Sequence, residues 1–90
     1  MKVIINACFG GFGVSDEWAE RLGDVADDID ELRYNAELIE AIENGEDVDG
    51  HCSNLKVFEI PADCTDYEIN EYDGLESIIC VIDGKIHHIY

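Results

Sequence analysis

The first fifteen residues restrict the fold more than any other stretch. Val3, Ile4, Ile5 and Ala7 form an apolar run that Cys8 and Phe9 extend. An unbroken run of this length, closed by a turn signal, reads as a buried strand. Gly10-Gly11-Phe12-Gly13 follows, and then Ser15-Asp16-Glu17. Ser is a favoured helix cap, and acids in the first turn suit the helix dipole. Strand, glycine bend and helix start, in that order, leave backbone N–H groups at a strand end. Such an end either binds an anion or caps itself.

Beyond that opening, Trp18, Leu22, Val25, Ile29 and Leu32 recur at helical spacing. Gly23 after Arg21 predicts a helix end near residue 23. Asp27, Asp28, Asp30 and Glu31 then make a poor autonomous helix, because like charges three and four apart repel. Asn35 is a start signal, Leu38, Ile39 and Ile42 keep the helical period, and Gly45 stops it. The expected helix spans 36–44, and 45–54 is loop by composition. Leu55 to Ile60 reads as a strand closed by Pro61. Tyr67 and Ile69 alternate with Glu68 and Asn70 as a second strand. Asp73-Gly74 marks a turn, Ser77 to Ile82 a buried strand, and Asp83-Gly84 a primed hairpin turn leading back through Lys85 to Tyr90. The whole chain, 1–90, is expected to form one α+β domain. It would hold a mixed sheet of about four to five strands, with two to three helices packed on it and a C-terminal hairpin. One parallel pairing through the first crossover is anticipated.

Charge is the second constraint. Twenty-two acids face five bases in 90 residues, a formal net charge of −17. A single small domain of this length buries roughly 60–65% of its unfolded surface, so self-repulsion bears on a modest core. The balance argues against nucleic acid or an anionic membrane as a direct partner and favours a basic protein. The plainer reading is a solubilising acidic coat. No secretory leader or run of ~20 apolar residues is present, which predicts a cytoplasmic protein with Cys8, Cys52, Cys64 and Cys80 reduced.

The chemistry-bearing residues form no catalytic or metal-binding motif. Gly10, Gly11, Phe12 and Gly13 with Ser15 form a possible ligand loop for a phosphate or nucleotide, but no Lys-Ser/Thr follows and Asp16 and Glu17 oppose an anion. The competing reading is a tight turn with Phe9 and Phe12 in the core. His51, Cys52, His87 and His88 lack zinc spacing, and neither acidic run has EF-hand spacing, so only loose divalent binding is expected there. No metal site and no cofactor are expected. Cys8 at a strand end would need His51 or His87 beside it for nucleophilic work, and nothing in the sequence places them together, so a non-enzymatic protein is expected. Glu37, Glu40 and Glu43 share a helix face at steps of three. Rows of carboxylates ~5–6 Å apart approach the spacing of phosphates along a strand.

IINACFGGFG with Ser15, Leu38-Ile39 with Gly45, LKVFEIP and EINEYDGLES together resemble a family of small proteins encoded by bacteriophages and prophages. The resemblance covers residues 1–15 and 33–77; residues 18–32 and the tail VIDGKIHHIY depart from it. It brings no functional residue with it. What it implies is context, a viral gene product acting inside a bacterial host cell. In that context the favoured expectation is an inhibitor of a basic, nucleic-acid-binding host protein, such as a CRISPR effector or another defence nuclease. Asp27, Asp28, Asp30, Glu31, Glu37, Glu40 and Glu43 would imitate nucleic-acid phosphates. The alternative is a small-ligand or nucleotide-signal binding module using residues 10–13. A third is a homo-oligomer whose edge strand, Lys85 to Tyr90, pairs with a copy of itself.

Overall fold

A computed structural model describes all 90 residues. The order is β1 (Lys2–Asn6), α1 (Asp16–Leu22), a 3-10 turn (Gly23–Asp27), α2 (Ile29–Arg33), α3 (Ala36–Glu43), β2 (Leu55–Glu59), β3 (Asp66–Tyr72), β4 (Leu75–Ile82) and β5 (Lys85–His88). The class is α+β, with five strands, three α-helices and a C-terminal hairpin.

The helices start and stop where local chemistry directs. Ser15 Oγ accepts from Trp18 N and opens α1, while Gly23, at φ 64°, ends it. Asp28 Oδ1 accepts from Asp30 N at 3.1 Å and Glu31 N at 3.3 Å, so an acid in the run expected to weaken helix formation caps the five-residue α2 instead. Asn35 Oδ1 accepts from Leu38 N at 2.9 Å and opens α3. Both Asp-Gly pairs turn hairpins with positive φ at both residues, 50° and 88° at Asp73-Gly74, 52° and 74° at Asp83-Gly84.

The strands do not form one mixed sheet. β1 pairs only β2, and β3-β4-β5 make a separate meander, with every pairing antiparallel. The expected parallel pairing fails for a traceable reason. α3 does deliver the chain to the beginning of β1, where Lys2 Nζ meets Glu43 at 2.8 Å. Residues 44–54 then run the length of β1, so that Leu55 enters opposite Asn6. Val48, 2% exposed, anchors this strap in the core, and Ser15 N donates to Val48 O at 2.8 Å.

Three layers result, with β1-β2 in the middle. Ile4, Leu55 and Val57 face the helices and pack with Trp18, Leu32, Leu38 and Val48. Val3, Ile5 and Phe58 face the other way, onto Ile78, Tyr67, Ile69 and Ile89 of the meander and its tail. A strand covered on both faces needs apolar residues at consecutive positions, which is why Val3, Ile4 and Ile5 are all fully buried. Phe12 packs against the helix-side core, whereas Phe9, expected inside with it, is 65% exposed.

Candidate functional site

The glycine loop is closed on itself. Gly10 N–H donates to Asp73 O at 2.9 Å, and Gly13 O accepts from Gly50 N and from Ser53 Oγ at 3.3 and 2.7 Å. Ser15 is occupied by its cap and by the strap. The bend nests against the β3-β4 turn so closely that a Cβ on Gly74 would lie 2.5 Å from Gly10 C and Gly11 N. Gly10, Phe12, Gly13 and Ser15 are therefore spent on packing and internal hydrogen bonds, and Gly11 stands beside open space. α1 has seven residues, and its first turn carries Asp16 and Glu17. These observations weigh for a structural turn over an anion cradle.

Behind this loop lies a buried polar junction that ties the three layers together. Arg33, at the end of α2, reaches past β1 to Glu76 on β4 in a two-pronged pair, Nη1 to Oε1 at 2.9 Å and Nη2 to Oε2 at 2.7 Å. Arg33 Nη1 also donates to Ile4 O, Asn6 N donates to Glu76 Oε1, and the guanidinium lies 5.0 Å over the Phe12 ring. The Asn6 amide donates to Cys8 O and Gly74 O and accepts from Asn54 N. No buried side-chain polar atom lacks a partner. A saturated network of this kind is architecture, with nothing left to offer a ligand. Sequence reasoning passed over it. Its signal is Glu76, which stands in phase with Ile78 and Cys80 on the buried face of β4, facing the one arginine of α2.

The hydroxyls of Tyr34, just after α2, and Tyr67 on β3 also meet. Partial burial, followed by that hydrogen bond, pushes the Tyr34 phenol up to about 12. No cysteine is bridged. Cys8 Sγ bonds to Cys52 O at 3.2 Å and Asn6 Oδ1 at 3.5 Å, so no histidine is its hydrogen-bond partner. Burial, and then the neighbouring Cys64 thiol, push the Cys80 thiol up. No three His, Cys, Asp or Glu side chains converge to hold a metal ion, and His87 and His88 lie on opposite faces of β5, as strand geometry requires.

What remains on the surface is charge. Residues 16–49 hold fourteen of the twenty-two acids against Arg21 and Arg33, and the helices in that span pack on one side of β1-β2. Arg33 is turned inward to Glu76, so Arg21 is the one cation of this layer at its surface. Asp27, Asp28, Asp30 and Glu31 are exposed, and no cation pairs with them. The expected row on α3 is interrupted. Glu37 pairs with Arg21 at 2.5 Å and Glu43 with Lys2 at 2.8 Å, which leaves Glu40 alone unpaired. Glu40 edges a recess of about 250 Å³ floored by Trp18 and Ala41, with Arg21 stacked 4.5 Å over the Trp18 ring. No helix is long and apolar enough to cross a membrane. Comparison with known proteins returns no match to a family model, a curated protein or a solved structure.

Proposed function

We propose that the protein is a non-enzymatic, phage-type inhibitor that works in the bacterial cytoplasm. It occupies the phosphate-binding groove of a basic, nucleic-acid-binding host protein, such as a CRISPR effector or another defence nuclease. The observation that carries this reading is the density of acid in the helical layer, net −12 over residues 16–49 against −5 for the rest of the chain. The helical layer presents Asp27, Asp28, Asp30 and Glu31 without counter-ions, while the interior polar groups and the glycine loop are already satisfied. Unpaired carboxylates held on a capped helix and its flank need little reorganisation to replace phosphates opposite lysines and arginines. Glu40 extends that surface. Glu37 and Glu43 contribute only where a target cation displaces Arg21 or Lys2. Charged surfaces of this kind associate fast and lose affinity with salt.

Nuclease assays on CRISPR effectors and other defence nucleases, with and without the protein, test the proposal. The wild-type chain is expected to block nucleic-acid binding by at least one of them. The variant with Asp27, Asp30 and Glu31 changed to Lys, which keeps the Asp28 cap of α2, should be folded and inactive. Undiminished inhibition by that variant removes the acidic layer from the mechanism.

A further inference from the structure

The layer order leaves one face of the meander without a cover, apolar at Leu75, Ile79, Val81 and Ile86 and polar along β3. Residues alternate along β4, so Glu76, Ile78 and Cys80 turn towards β1, and Leu75, Ser77, Ile79 and Val81 turn outward. Register places Val81 between Asp66 of β3 and Ile86 of β5, and Ile79 between Glu68 and His88. Ile86 is 67% exposed, and with Ile79 and Val81 it lines a hollow of about 150 Å³. The face lies at the pole opposite the acidic helices, with β1-β2 between them.

We propose that this face docks a second copy of the chain, through a two-fold axis running parallel to the strands of the meander. Charge selects that axis. Rotation about it sets β4 on the partner's β4, so Ile79 and Val81 cover their own copies, and it sets β3 on the partner's β5. Each Glu68 carboxylate then faces the partner's His88, whose imidazole N–H is a donor, and each Asp66, at the first position of β3, faces the partner's Ile86. The pairing occurs twice, as an isologous contact demands. An axis across the strands would instead set Asp66 and Glu68 against their own copies, like charge on like. Pairing edge to edge through β5 would leave Ile79 and Val81 uncovered. The chosen arrangement also sends the two helical layers, each with fourteen acids and two bases for a net −12, to opposite ends of the assembly.

The size of the face sets the strength. Three strands at ~4.8 Å spacing and eight residues at ~3.3 Å rise give a footprint of roughly 400 Å² per copy. Over both copies that is roughly 800 Å², still below the ~1,200 Å² total of a standard stable interface, so the dimer is weak and reversible.

Sedimentation equilibrium of the full chain, from low micromolar to near-millimolar concentration, tests the proposal. A reversible monomer–dimer equilibrium is expected. Ile79→Lys should weaken it on the order of tenfold or more, with the circular dichroism spectrum unchanged. Glu68→Lys alone should weaken it, and Glu68→Lys combined with His88→Glu should restore it, a readout that holds even where Ile79→Lys misfolds. A monomer at every concentration overturns the proposal. So does a dimer indifferent to Ile79→Lys in a folded variant, which would mark edge pairing. A double charge exchange that fails to restore association overturns the two-fold geometry.

Discussion

Arg33 and Glu76 are 8% and 5% exposed and hold each other, the end of β1 and the ring of Phe12 in one arrangement. Removing one partner strands a buried charge. Glu76→Gln should therefore cost about 3–5 kcal/mol in denaturant unfolding, and Arg33→Met a similar amount. Changing both together, Arg33→Met with Glu76→Gln, should cost less than the sum of the two, because no charge is then left alone. Tyr34 gives a second residue-scale test. Its phenol is neutral in the fold up to about 12, against 10.0 unfolded, so folding favours the protonated form. That contribution is complete below pH 10 and is lost as pH rises through about 12. Alkaline titration followed by phenolate absorbance should show one tyrosine ionising late, and Tyr34→Phe should remove that late step. A Tyr34 that ionises with the other tyrosines would mean that its hydroxyl does not meet that of Tyr67.

Among the elements, the turns carry the clearest contrast. Gly74 and Gly84 both have positive φ, 88° and 74°. A Cβ on Gly84 meets nothing within 4 Å, while one on Gly74 lies 2.5 Å from the Gly10-Gly11 backbone. Gly84→Ala should cost only the left-handed strain, about 1–2 kcal/mol. Gly74→Ala adds a backbone clash and should cost several kcal/mol more, read as a larger fall in the denaturant midpoint. Equal losses would mean that the loop and the turn are not in contact.

The element scale also shows what the sequence made legible. Caps and breakers are local, so Ser15, Gly23, Asn35 and both Asp-Gly pairs were readable directly from residue type. The direction of β2 was not. It depends on where residues 44–54 travel, and that is decided by Val48, a lone valine among acids and glycines in a stretch whose composition says only loop. The position of Glu76 was not legible, since the strand was expected to begin at Ser77 whereas β4 begins at Leu75, and its partner sits forty-three residues away on α2. The acids of 27–31 were legible as charge. That Glu37 and Glu43 have partners in Arg21 and Lys2 was not, because those pairs join separate elements.

For the molecule as a whole, the balance of terms is a modest core in three thin layers against a net charge of −17. Screening acts beyond about 8 Å at physiological ionic strength, so added salt should raise the melting temperature. Divalent cations should do the same at lower concentration. A flat or falling response would mean that repulsion in the helical layer does not limit stability. The same salt should weaken capture of a basic target, so stability and inhibition should move in opposite directions as ionic strength increases. The most direct measurement of the central claim is a competition titration. Labelled nucleic acid bound to a target host nuclease is displaced by the wild-type chain and by the folded variant with Asp27, Asp30 and Glu31 changed to Lys, the Asp28 cap being kept. Displacement by the wild type that weakens steeply with salt, together with an affinity loss of more than about tenfold in the variant, is the expected result. Equal displacement by both chains, independent of salt, would contradict it.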